Sequence, residues 1–85
     1  MQKLSHREQI LLQTIASEPP DEKGWCRYTL RHHLGIGEST LRRHLQLLHN
    51  RGFVHVNVPD ETYYYSLTER GRKHYELTGA YGGTW

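Results

Sequence analysis

This 85-residue chain has a single cysteine, a single phenylalanine, three prolines and almost no excess of either charge sign, with eleven Lys and Arg against nine Asp and Glu. Cys26 alone can neither close an internal disulfide nor build a thiolate metal site, so two common staples of small domains are excluded. The longest aliphatic run is Ile10-Leu11-Leu12, far short of the ~20 apolar residues of a membrane span, and no charged-then-apolar leader opens the chain. A soluble, intracellular, cytoplasmic protein with no membrane partner is the expectation. A formal charge of +2 is too small for a binder that holds a polyanion by charge alone. No internal repeat and no Gly-rich phosphate loop is present, and the carboxylates cluster in presumed loops, so neither catalysis nor a cofactor is expected.

What charge there is sits in one place. Between Arg27 and Arg51 lie Arg27, Arg31, Arg42, Arg43 and Arg51 against the single acid Glu38, together with His32, His33, His44 and His49. That segment carries a net +4, and the rest of the chain therefore −2, with acids at Glu18, Asp21, Glu22, Asp60 and Glu61. A focused basic segment in a near-neutral protein predicts a polyanion met by one face.

The elements follow from capping and periodicity. Ser5-His6-Arg7-Glu8 fits a reciprocal capping box, after which Leu4, Leu11 and Ile15 share a helical face until Pro19-Pro20 ends the helix. Residues 25–28 (Trp-Cys-Arg-Tyr) read as a brief strand with Cys26 a small buried residue in it. Thr29 is expected to cap a short helix carrying Leu30 and Leu34 and stopped by Gly35. Ile36-Gly37-Glu38 then forms a turn before a longer helix over about 39–50, a helix-turn-helix arrangement. Residues 53–58 alternate with period two, 59–62 make a turn, and 63–67 give a second strand, a β-hairpin. Thr68 caps a last helix over 69–77, and residues 79–85 form a Gly-rich tail expected to be loose. The expected class is mainly α with a small β-hairpin (α+β): one domain over 1–78 plus the tail 79–85.

At about 100° per residue, Leu41, Leu45 and Leu48 of the longer helix form one buried stripe, at about 0°, about 40° and about −20°. Opposite them Ser39 falls at about 160°, Arg43 at about 200°, Gln46 at about 140° and Asn50 at about 180°, with Arg42 flanking at about 100°. After Glu38 this face contains no acid, whereas a merely solvated face mixes Glu with Lys. Arg donates bidentately to guanine, Gln and Asn pair with adenine, and short hydroxyls such as Ser39 and Thr40 allow close approach. The base-reading set is therefore Ser39, Thr40, Arg42, Arg43, Gln46 and Asn50. His44, at about −60° from the stripe, is expected to be packed, leaving His32, His33 and His49 as the histidines that would meet phosphate.

Residues 39–54, STLRRHLQLLHNRGFV, resemble the recognition-helix signature of the ArsR family of bacterial and archaeal regulators, H-L-x-x-L-x-x-x-G-[LF]-V after a Ser/Thr-rich start. Residues 64–71, YYSLTERG, are similar to the end of the wing in the ArsR, MarR and PadR families. The resemblance implies a winged helix-turn-helix of order helix, strand, helix, helix, strand, strand, helix, with the 39–50 helix in the major groove of double-stranded DNA. It also implies a transcriptional regulator in a prokaryotic or viral setting, with Arg27, Arg31 and His32 facing phosphates. A single recognition helix contacts only a few base pairs, so a homodimer on a symmetric operator is expected. The acidic wing tip, Asp60-Glu61, departs from families that insert an arginine there; like charge repels phosphate, leaving Tyr63 or Tyr64 to make any wing contact through its hydroxyl.

Other chemistry fits less well. No His-x-x-x-His pair lies on an expected helix, and His44 and His49 differ by about 140° in direction, so no metal site within one chain and no metal or small-molecule effector is supported. Tyr63-Tyr64-Tyr65 would alternate across a narrow sheet, a poor stacking platform for single strands. The serious rival is a winged helix used for protein–protein contact, which accounts for Leu47 off the buried stripe and for the aromatic tail residues Tyr81 and Trp85 but not for the acid-free face.

Overall fold

The first helix begins where its cap holds it. Ser5 Oγ accepts from the Glu8 N–H at 3.2 Å and the Glu8 carboxylate accepts from the Ser5 N–H at 3.1 Å, the reciprocal box read in the sequence. In the computed structural model, which describes residues 4–20 and 22–78, that helix is α1 (His6–Ala16), followed by β1 (Trp25–Cys26), α2 (Arg27–Leu34), α3 (Glu38–Asn50), β2 (Val54–Asn57), β3 (Tyr64–Leu67) and α4 (Glu69–Thr78). This is the expected order, and the fold is a winged helix-turn-helix. The tail 79–85, with Tyr81 and Trp85, lies outside the described residues.

Helix α1 is the hub. It packs against α3, β3 and α4, which explains why Ile10 and Leu12 are buried beside Leu4, Leu11 and Ile15 rather than one stripe alone. A helix enclosed on several sides needs apolar residues around most of its circumference. Leu30, Leu41, Leu45, Leu48, Phe53, Val54, Trp25 and Tyr65 complete the core.

The sheet is antiparallel in the order β1-β3-β2. Trp25 faces Tyr65 and Cys26 faces Tyr64 across one ladder, while Val56 faces Tyr65 and Asn57 faces Tyr64 across the other. Alternation therefore puts Trp25, Val56 and Tyr65 on one face and Cys26, Asn57 and Tyr64 on the opposite one.

Two expectations near α2 need correction. The 25–28 segment pairs for only two residues, and Arg27 and Tyr28 already belong to α2. Thr29 is not the residue that precedes the helix; it is the third residue within it, and its Oγ1 reaches back to accept from the Cys26 N–H at 3.0 Å. A hydroxyl three residues into a helix satisfies an amino-terminal donor as well as one placed before it, so the helix starts earlier than the β-prone residue types suggested. Cys26 is half-buried rather than buried, with Sγ 3.6 Å from Thr29 Oγ1.

The turn between α2 and α3 is short because a glycine closes the first helix. Gly35 adopts φ 67°, and its N–H and that of Ile36 both donate to the Arg31 carbonyl. Helix α3 begins at Glu38, one residue earlier than expected, which places that acid in the first turn where the helix dipole favours it. Its other end is closed by Gly52 at φ 76°, the Gly52 N–H donating to the His49 carbonyl and the Phe53 N–H to that of Leu48. Thr68 caps α4 as expected, accepting from the Gly71 N–H at 3.0 Å.

Candidate nucleic-acid interface

The leucine stripe of α3 turns inward, Leu41 and Leu48 being fully buried, so the opposite face is presented to solvent. Ser39, Arg42, Arg43, Gln46, Leu47, His49 and Asn50 are exposed and Thr40 is half-buried. His44 is buried, with Nδ1 2.8 Å from the Thr40 carbonyl. Gln46 Nε2 donates to Asn50 Oδ1 at 2.9 Å, a pairing one helical turn apart. That bond orients both amides while leaving the Gln46 carbonyl and the Asn50 amino group for other partners.

The wing meets α3 along a groove of about 410 Å³ lined by Arg42, Gln46 and His49 from the helix, by Val56 and Tyr65 from the strands and by Tyr63 beside them. Arg27, the first residue of α2, closes the groove with its guanidinium 5.3 Å from the centre of the Tyr63 ring, a cation–π distance. Burial pushes the Tyr65 phenol above its ordinary 10.0, opposed by the Arg27 charge, with a smaller upward push from Tyr63 and a weaker downward one from Arg42. Arg27 and Arg42 line the same groove as Tyr65.

A second hollow of about 280 Å³ adjoins it, where Arg27, Tyr28 and Arg31 of α2 meet Glu38 of α3 and Glu61 and Tyr63 of the wing. His32 shares a shallower depression with Tyr28 and Arg31. The structure thus brings Arg27, Arg31, His32 and Tyr63 together along α2 and the wing. Tyr64 stands apart from them, half-buried on the other face of β3. His33 turns away as well, its ring edge-on to Trp25 at 5.4 Å.

Charge pairing separates this surface from the rest. Glu8 sits 3.6 Å from Arg51, Asp60 2.9 Å from Lys23 and Glu69 3.7 Å from Lys73. Among the described residues no carboxylate lies within ion-pair reach of Arg31, Arg42 or Arg43. An arginine left without a carboxylate keeps its full set of donors for an external acceptor.

Residue type alone did not reveal Lys23. Its ammonium donates to Asp60 and holds that carboxyl below its ordinary 3.8, chiefly by the hydrogen bond, partly offset by desolvation and reinforced by the Lys23 charge and the Thr62 N–H. The wing tip is therefore less acidic than Asp60-Glu61 suggests, one of its two charges being matched from the loop after α1. No pattern in the sequence links positions 23 and 60, which meet only through the fold. Among the described residues, no three His, Cys, Asp or Glu side chains come together as a metal site, and no helix is long and apolar enough to cross a membrane.

No protein-family model and no curated protein matches this sequence. Solved structures do match its fold. The chain is similar to Streptococcus pneumoniae FabT in complex with DNA, with a TM-score of 0.76 and 18% identity over 88% of this chain and 52% of that one. It is also similar to a MarR/EmrR family transcriptional regulator from Acinetobacter sp. ADP1, with a TM-score of 0.74 and 22% identity over the same 88% and 52%. The chain spans about half the length of these proteins, and at such identities the likeness establishes the winged-helix fold.

Proposed function

We propose that this chain is a sequence-specific double-stranded DNA-binding regulator, acting as a homodimer with α3 in the major groove, and not an enzyme. The observation that carries the reading is the set of exposed arginines on α2 and α3 that have no carboxylate partner among the described residues, Arg31, Arg42 and Arg43, beside the amides of Gln46 and Asn50. Burying such cations against a neutral partner would cost desolvation without return, whereas phosphates and guanine edges supply acceptors. That a protein of similar fold has been solved with DNA supports it.

In this reading Ser39, Thr40, Arg43, Gln46 and Asn50 approach bases, and Arg42 reaches either a base or the adjacent backbone from the groove edge. Arg27, Arg31, His32 and Tyr63 position the duplex by its phosphates, while Tyr64, on the far face of β3, takes no part. The wing lies along the backbone rather than deep in the minor groove, since its tip retains Glu61 and offers no arginine.

Titration against random duplexes and duplexes selected from a random pool, at two salt concentrations, tests the proposal. Tight, selected-sequence binding with a steep salt dependence is expected. A symmetric footprint with half-sites about 34–36 Å apart and a doubled mass by light scattering are expected of the dimer. A protein-contact role is the second reading, favoured by Leu47 at 42% and Tyr28 at 75% exposure; weak, sequence-indifferent DNA binding at physiological salt would support it instead.

A further inference from the structure

His49 lines the groove between α3 and the wing. Its Nδ1 lies 3.3 Å from the Val54 carbonyl oxygen. A carbonyl only accepts, so Nδ1 is the protonated nitrogen, and in the neutral ring Nε2 then carries a lone pair and cannot donate. The residue is exposed, which leaves the Nε2 edge for whatever enters the groove.

The groups facing it define that visitor. Arg42 and Gln46 come from its own helix, Arg27 from α2, Tyr63 and Tyr65 from the wing side, while β2 contributes the apolar Val56; among the described residues no carboxylate lines the groove. Two guanidinium groups and no acid make this a place for an external anion. A phosphodiester oxygen, like a carbonyl, only accepts. With Nδ1–H committed to Val54, His49 can bond a phosphate only as the doubly protonated imidazolium. A phosphate seated against Arg27 and Arg42 brings its negative charge beside the ring and favours that form.

We infer that His49 is a phosphate contact of the bound duplex and that DNA binding takes up one proton at this residue. The inference rests on the DNA-binding reading above and adds a pH-linked contact to it. The proton comes from solvent and no covalent bond changes. Because Nε2 gains a donor only on protonation, affinity must rise as pH falls, by linkage.

The test measures affinity for the selected duplex from about pH 8 to about pH 6 at fixed ionic strength. In parallel, calorimetry in two buffers of different protonation enthalpy counts the protons taken up by the unmodified protein. A gain of several-fold, approaching about tenfold for each unit of pH, is expected, together with net proton uptake. His49→Gln, whose amide can still donate to Val54, should make the gain shallower and lower the uptake by the one proton assigned to His49, while His55→Gln, on the opposite face of the hairpin, should keep both. Tight binding with a flat pH profile and no uptake would overturn the inference and leave the DNA reading standing, as would a His49→Gln profile as steep as wild type. Failure to bind any selected duplex at any pH would overturn both.

Discussion

Replacing Gly71 by alanine adds one methyl group, and the structure predicts a large effect. An alanine Cβ at this position would fall on the Phe53 carbonyl oxygen and 2.9 Å from the carbonyl carbon, both backbone atoms that cannot swing aside. Elsewhere in a helix the change would gain about 0.8–1.0 kcal/mol of propensity. Here the backbones must separate, an overpacking cost of about 1–3 kcal/mol. Separation also strains the Thr68 N–H bond to Phe53 at 3.1 Å and the Thr68 hydroxyl bond to Gly52, at about 1 kcal/mol each. The net expectation is a destabilisation of about 2–4 kcal/mol, a large part of the roughly 4–13 kcal/mol available to a domain of this length. Urea unfolding followed by far-ultraviolet circular dichroism measures it, with Gly37→Ala as the comparison: nothing lies within 4 Å of a Cβ there, so that change loses only the cap preference of glycine over alanine, about 0.5–1 kcal/mol. A Gly71→Ala midpoint equal to wild type would refute the close backbone approach and, with it, the way α4 is seated on the residues that follow α3.

Other consequences are smaller or more local. Arg43→Ala should lose about 1–3 kcal/mol for a selected operator while leaving nonspecific binding less affected, whereas Arg31→Ala should weaken both alike and lower the salt slope by about one unit; competition titrations against random duplex separate the two. Gly37→Ser should stabilise the protein slightly, by about 0.2–0.5 kcal/mol in thermal unfolding, because Gly37 occupies the α3 cap position with extended angles, φ −76° and ψ 160°, and no side-chain bond. Lys23→Met should raise the Asp60 titration midpoint toward its ordinary 3.8, read by carboxyl NMR. In wild type the folded value is depressed, so the pair's contribution is present above the unfolded value and lost as pH falls through the folded one; an unmoved midpoint would show that the pair does not form.

Features set by local chemistry were legible in the sequence. The Ser5-Glu8 box, the stop at Gly35, the Leu41-Leu45-Leu48 stripe and the Thr68 cap each depend on residues a turn or two apart, and each stands where the spacing put it. The strand at Trp25 was legible only in part, because residue type favours strand through Tyr28 while its partner β3 is matched for two residues only. The outward face of α3 followed from helical geometry. Its division into a wing side, with Arg42, Gln46 and His49, and an open side, with Ser39 and Arg43, did not, since it depends on where the hairpin docks. The Lys23–Asp60 pair and the Arg27–Tyr63 stack join positions far apart in the chain and have no periodic signature.

The same residues that cap helices locally also hold α3 in place. Glu8, the return half of the α1 box, puts its second oxygen 3.6 Å from Arg51 Nε at the α3 carboxyl end, and only 7% of the Glu8 side chain is exposed. Thr68, the α4 cap, donates its hydroxyl proton to the Gly52 carbonyl one residue further on, and Gly71 lies directly on Phe53 after that. His49 bonds the Val54 carbonyl across the same corner. Contacts from α1 and α4 thus converge on residues 49–54, while Ser39 and Arg43, nearer the other end of α3, stay exposed. A helix held at one end by these polar contacts, and along its length by the buried Leu41-Leu45-Leu48 stripe, presents its outer face in a fixed direction without covering it. That arrangement explains why a domain with so few apolar residues invests Gly52, Phe53, Thr68 and Gly71 in one corner: the corner aims the Ser39, Arg43 and Gln46 face, and the motifs at 49–54 and 67–71 are two halves of one joint.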